Sequence, residues 1–119
     1  MDALKALQTE LAAFAADRDW DKFHTPKNLA MALSGEAGEL LEHFQWLTPE
    51  QSELGALPSD TLQGIEEEMA DVLLYLLRLA DRLNINLEAA ANAKLQLNAV
   101  KYPVEKAKGN AVKYSRRGE

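Results

Sequence analysis

Residues 59–83 read SDTLQGIEEEMADVLLYLLRLADRL, and this stretch decides the fold. Placed at about 100° per residue around a helix axis, Ile65, Met69, Val72, Leu76, Ala80 and Leu83 form one apolar stripe. Leu73, Leu74 and Leu77 carry apolar character well round the helix. A helix apolar over so much of its circumference is buried on more than one side. A four-helix monomer offers few such places, so the stretch predicts a homo-oligomer with this helix in the interface.

Helical spacing also dominates on either side. An earlier segment runs from Asp2 to Asp17, with Leu4, Leu7, Leu11, Phe14 and Ala15 at helical intervals. A second helix is expected from Thr25-Pro26, because Thr caps well and Pro suits the first helical position; its pattern runs to about Trp46. Residues 48–59 are the most loop-like, with room for one short helical turn. A fourth helix is expected from Asn86-Leu87 to just before Pro103, since the residue preceding a proline is pushed out of the α region. No segment alternates with period two for long enough to make a strand. The expected architecture is all-α: a four-helix bundle-like domain spanning 1–119, ending in a basic tail, 103–119.

The net charge of −6 is unevenly spread. Residues 101–119 carry six Lys/Arg and two Glu, so the acidic excess lies in the first hundred residues. An acidic body argues against a duplex nucleic-acid partner, which needs a basic face. The tail is too polar to fold by itself and is expected to lie across an active site, its own or a neighbour's. There is no cysteine, which excludes disulfides, thiolate metal sites and Cys nucleophiles, and suits a reducing cytoplasm. No basic-then-apolar leader opens the sequence, and the apolar run from Val72 to Leu77 is too short to span a bilayer.

Four acids stand out. Glu36 and Glu39 are three apart on the second helix, and Glu68 and Asp71 are three apart on the third. Residues at i and i+3 share a helix face, and both pairs flank an apolar stripe. Antiparallel packing would let them face each other across a cleft. Four ionised carboxylates that close repel one another, and a divalent cation relieves the repulsion. Oxygen ligands without Cys or His suit Mg²⁺, with Mn²⁺ as a substitute. The small Gly35 and Gly38 would let a phosphate approach. A di-iron carboxylate bundle wants Glu three residues before His, and neither His24 nor His43 has one. Taken alone, either acidic pair could equally be a solvated helix face.

At these residues the sequence resembles the all-α nucleoside triphosphate pyrophosphatase (MazG-like) superfamily, and within it the dCTP pyrophosphatase branch. The stretches that carry the resemblance include Arg18-Asp19-Trp20, Phe23 to Leu29, Gly35 to Leu40, Phe44-Gln45-Trp46, Glu67-Glu68 through Leu76, and Lys94, Asn98 and Tyr102-Pro103-Val104. They occur in order over nearly the whole chain, with only the 48–60 loop unmatched. One departure is Gly35, where the wider superfamily often doubles the acid; the dCTP branch has glycine there. The resemblance implies Glu36, Glu39, Glu68 and Asp71 as Mg²⁺ ligands. It implies Lys94, Asn98 and Tyr102 as triphosphate and sugar contacts, with Tyr75 near the same cleft. Trp20, Phe23, His24 and Trp46 would form the base pocket. Ordinary core packing is the plainer reading of the two Trp.

The expected reaction is Mg²⁺-dependent attack of water on the α-phosphorus of a (deoxy)nucleoside triphosphate, dCTP or a modified dCTP, leaving the monophosphate and pyrophosphate. Glu39 is the expected proton acceptor. The rival readings are a dUTP or broad NTP pyrophosphohydrolase, and a non-catalytic helical regulatory or oligomerisation module. The expected assembly is a dimer or a dimer-of-dimers homotetramer, in the cytoplasm.

Overall fold

The computed structural model describes residues 2–118. Four long helices and one single-turn helix account for most of them: α1 Ala3–Asp17, α2 Pro26–Glu42, α3 Ser59–Arg82, α4 Leu87–Lys101 and α5 Val104–Ala107. There is no strand among the described residues, and none of their helices is long and apolar enough to cross a membrane.

The helix ends follow local chemistry. Asp2 accepts from Lys5 N–H at 2.8 Å, Thr25 from Asn28 N–H at 3.2 Å and Asn86 from Ala89 N–H at 3.0 Å, so three helices start on side-chain caps. Pro26 sits at the first turn of α2, as expected. Both α1 and α3 stop in left-handed turns, at Asp19 (φ 55°) and Asn84 (φ 58°). Trp20 N–H then reaches back to Ala15 C=O at 2.9 Å, and Ile85 N–H to Ala80 C=O at 2.8 Å. These bonds satisfy carbonyls that the helix ends would otherwise orphan.

Residues up to Ile85 form the first of two compact units. Within it α3 is the spine, with α2 and α1 packed against it. Ala15, Leu29, Ile65, Leu77 and Ala80 are its buried apolar residues. Gln8 Nε2 donates to Leu77 C=O at 2.9 Å and ties α1 to the spine. The buried line on α3 is not the expected stripe: Ile65 and Ala80 lie inside, but Met69 is 57% exposed and Leu83 is exposed, while Leu77 is buried. The apolar arc is wider than the partners that cover it. Periodicity gave its extent, and the docking of α1 and α2 chose the edge.

Two boundaries moved. α2 ends at Glu42 rather than Trp46, because the chain tightens into successive turns, His43 N–H bonding Leu40 C=O and Phe44 N–H bonding Leu41 C=O. The following loop holds two short 3-10 turns, Glu50–Ser52 and Leu54–Ala56, rather than one. Thr48 and Gln51 brace the first by reciprocal side-chain bonds to each other's N–H, at 2.9 and 3.2 Å.

The second unit begins at Asn86 and holds α4, α5 and a last 3-10 turn, Tyr114–Arg116. Within this unit the basic tail, expected to lie across an active site, packs on the end of α4. Tyr114 stacks edge-on against Tyr102 at 5.9 Å, Lys101 lies over the Tyr114 ring, and Arg117 Nη1 donates to Lys101 C=O at 2.7 Å. Aromatic and cation–π contacts thus fold the basic tail onto the C-terminal end of α4.

Candidate functional site

The site is set by the register of α2 against α3. A Cβ added to Gly64 would stand 2.8 Å from Cε1 of His43, so the His43 ring lies directly on the glycine. That contact joins the C-terminal end of α2 to the first turns of α3, which makes the pair antiparallel. One turn further along each helix, Glu39 comes level with Glu68. A further step brings Glu36 level with Asp71.

Carboxylate oxygens of Glu36, Glu39 and Glu68 all lie within 4.8 Å of one another. Asp71 is exposed and outside this trio, but close enough to repel Glu36. Oε2 of Glu36 and Oε2 of Glu68 are buried, and no donor reaches either. Loss of solvation, then the close approach of the Glu39 and Glu68 carboxyls, which favours a shared proton, then repulsion by Glu39 and Asp71 push the Glu36 carboxyl up to about 7. Nothing stands within 4 Å of where a Cβ would project from Gly35 or Gly38, so that side of α2 is open.

A second cluster surrounds Trp20 and His24. Trp20 meets Phe14 edge-on at 5.8 Å and His24 at 6.2 Å. Behind them lies Arg78, only 5% exposed. It donates through Nε to His24 Nδ1 at 3.1 Å, through Nη2 to Asp21 at 2.6 Å and through Nη1 to Asp81 at 3.1 Å. A buried guanidinium needs such pairing, and two carboxylates supply it. His24 is held below its ordinary pKa, first by burial and then by Arg78, against the pull of Asp21.

The other residues singled out from sequence are spread more widely. Phe23 is 58% exposed, with Lys22 over its ring at 5.4 Å. Trp46 is 87% exposed and follows the far end of α2. The 17 residues of α2 span about 25 Å at 1.5 Å each, so Trp46 cannot share one pocket with Trp20, Phe23 and His24 within a single copy. Tyr75 is half-buried, one turn beyond Asp71 on α3. Lys94 and Asn98 lie exposed along one face of α4 in the second unit. Tyr102, just past its end, accepts from Tyr114 N–H at 3.3 Å.

Two functional elements escaped the sequence reading: the Arg78 hub and the His43–Gly64 contact. A lone arginine inside Leu74-Tyr75-Leu76-Leu77-Arg78-Leu79 was the signal for the first. A charge on a core-facing helix must find acids elsewhere in the chain. Gly64 on an otherwise glycine-free helix was the signal for the second.

The MazG-like family model matches residues 31–116, which include both acidic helices. The chain belongs to the MazG-like family. Among curated relatives, dCTP pyrophosphatase 1 of Mus musculus is 44% identical over 104 residues, covering 87% of this chain and 61% of the mouse protein. The Homo sapiens protein of the same name is 44% identical over 105 residues, with the same two coverages. The MazG-like chain thus spans about three fifths of the length of these relatives. A pyrophosphatase of known structure from Archaeoglobus fulgidus superposes with a TM-score of 0.78 at 43% identity, covering 87% of this chain and 94% of that one.

The MazG-like acidic cluster fits a hard divalent cation. Its donors are all carboxylate oxygens, which Mg²⁺ and Mn²⁺ favour. The two orphaned oxygens need a positive partner, because a buried acceptor without one costs free energy. A proton on Glu36 is the alternative partner, and its raised pKa is the sign of it.

Proposed function

We propose that this chain hydrolyses a (deoxy)nucleoside triphosphate, dCTP or a modified dCTP first among them, to the monophosphate and pyrophosphate, as a cytoplasmic nucleotide-pool enzyme. The observation that carries the reading is the convergence of Glu36, Glu39 and Glu68 with two unpartnered buried oxygens. It occurs in a MazG-like chain whose relatives are named dCTP pyrophosphatase 1.

Glu36, Glu39 and Glu68, with Asp71 beside them, would hold Mg²⁺. When bound, the cation neutralises phosphate charge and lowers the pKa of a coordinated water. The chain's own groups do the rest. Glu39, the exposed member of the trio, takes the proton from the attacking water. Lys94 offsets negative charge on the phosphates, and Asn98 and Tyr102 contact triphosphate and sugar. Tyr75 borders the same cleft. Trp20, Phe23 and His24 hold the base; stacking on an aromatic plane contributes about 1–3 kcal/mol per base.

The functional unit in this reading is a homo-oligomer, a dimer or a dimer of dimers. Met69 and Leu73 of α3, and Leu95, Leu97 and Val100 of α4, are exposed large apolar side chains in the single chain. Trp46 completes a base pocket only when a second copy supplies it, given its distance from Trp20 along α2.

The test is a panel of the eight common nucleoside triphosphates with Mg²⁺ and identification of products. Preferred release of dCMP and pyrophosphate from dCTP supports the reading. Preference for dUTP, or equal turnover of all eight, replaces dCTP with another base; dCDP with orthophosphate, or no turnover, rejects the reaction.

A further inference from the structure

We infer that Arg78 is a positioning residue for base recognition: its Nε–H locks His24 as the neutral Nε2–H tautomer, and His24 presents that N–H to an acceptor atom of a base lying against Trp20. The base contact rests on the pyrophosphohydrolase reading above; the tautomer lock stands on geometry alone.

An arginine Nε carries a hydrogen and no lone pair, and the guanidinium does not lose its proton in proteins. The 3.1 Å contact from Arg78 Nε to His24 Nδ1 therefore requires a lone pair on Nδ1. A neutral imidazole with its lone pair on Nδ1 has its hydrogen on Nε2. Protonating His24 would place a second N–H against the first and break the contact. The groups facing His24 act in the same sense on balance. Arg78 and Arg82 of α3 disfavour the imidazolium, as does burial, and Asp21 of the preceding turn favours it. The depressed pKa agrees with the tautomer that the hydrogen bond demands.

Arg78 is itself fixed. Its side chain is 6% exposed, and its two terminal nitrogens are held by Asp21 and Asp81. The turn Asp21–Phe23 and the helix α3 are thus joined through one guanidinium, with His24 at its third corner. His24 Nε2 has no hydrogen-bond partner among the described residues. The imidazole stands edge-on to Trp20, 6.2 Å between centroids at 64°. A partly exposed indole face beside a rigid single N–H donor is a recognition element for a flat ring with an acceptor on its edge. A histidine free to exchange tautomers would offer that donor only part of the time.

R78K separates this role from simple ion pairing. Lysine keeps the charge for Asp21 and Asp81 but lacks the planar fork that also reaches Nδ1. The experiment is ¹⁵N–¹H correlation spectroscopy of the His24 ring across pH, in the unsubstituted chain and in R78K, with steady-state kinetics on dCTP for both, for H24A and for the double variant. In the unsubstituted chain His24 should show the Nε2–H tautomer and titrate below its ordinary 6.5. In R78K it should populate both tautomers and titrate closer to that value. KM for dCTP should rise roughly 3- to 10-fold, the worth of one neutral hydrogen bond, with kcat little changed. The double variant should be no worse than H24A alone.

The Nδ1–H tautomer in the unsubstituted chain would overturn the lock directly, and needs no variant to fold. An unchanged tautomer and pKa in R78K would overturn Arg78 as its cause. Multiplying effects in the double variant, or a loss confined to kcat, would overturn action through His24. Absence of any nucleotide turnover by the unsubstituted chain would remove the base contact together with the function it rests on, while the spectrum would still report the lock.

Discussion

Gly64→Ala should reveal how the α2–α3 register is fixed. The new methyl would stand 2.8 Å from His43 Cε1 and 3.3 Å from Nε2. Carbon atoms in contact settle near 3.5–4.0 Å, so the ring must give by more than half an ångström or swing out. Overpacking of this size costs about 1–3 kcal/mol. Working against it, alanine is better than glycine inside a helix by about 1 kcal/mol. The two terms separate in a double-mutant cycle with His43→Ala. In the H43A background only the propensity term remains, and G64A should stabilise by about 1 kcal/mol. In the native background the clash opposes it, leaving the coupling between the sites at about 1–3 kcal/mol. Urea unfolding followed by helical circular dichroism measures all four stabilities. Equal stabilisation by G64A in both backgrounds would refute the claim that His43 rests on Gly64, and with it the register that aligns the acids.

Two further predictions bear on the acids. Added Mg²⁺ should raise the melting temperature of the unsubstituted chain, by the equivalent of about 2.7 kcal/mol at a hundredfold excess over Kd. Glu68→Ala should remove that gain while leaving a folded protein, and an undiminished gain would count against Glu68 as a ligand. Without divalent cations, Glu36 contributes in the opposite sense to an ordinary carboxylate. Its folded pKa is raised from 4.5 to about 7, so the protonated form belongs to the folded state. The stability it confers is full below about pH 4.5 and is lost as pH rises through 7. Denaturation in a chelator across this window, compared with Glu36→Gln, should show a decline that the glutamine variant lacks. The same slope in both would place the decline elsewhere.

Much of the fold was legible because it is local. Thr25-Pro26 announced the start of α2 and Pro103 the end of α4, both through backbone chemistry that needs no tertiary partner. The all-α class followed from periodicity. The acids were legible for a related reason: i, i+3 spacing puts each pair on one face, and antiparallel packing of neighbours in sequence brings the faces together. What spacing could not give was depth. It could not say that Oε2 of Glu36 and Glu68 would be buried, nor that Asp71 would stand outside the trio.

Other features depend on residues distant in sequence. Arg78 joins positions more than fifty residues apart, and no periodicity encodes such a pairing. Met69 belongs to the apolar stripe and is exposed in the single chain, because the arc of α3 is wider than α1 and α2 can cover. The resemblance groups Trp46 with Trp20, and the length of α2 separates them within one copy. The tail is too polar to fold by itself, and two tyrosines, a lysine and an arginine hold it to the end of α4. Cation–π contacts of that kind hide in a composition that reads simply as charged.

The most direct test of the account is the fate of solvent oxygen. Turnover of dCTP with Mg²⁺ in ¹⁸O-enriched water, with the products resolved by mass spectrometry, should place one label in the phosphate of dCMP and none in pyrophosphate. Label in pyrophosphate would put the attack on the β-phosphorus. Label in orthophosphate beside dCDP, or no turnover at all, would contradict hydrolysis at the α-phosphorus by this acidic site.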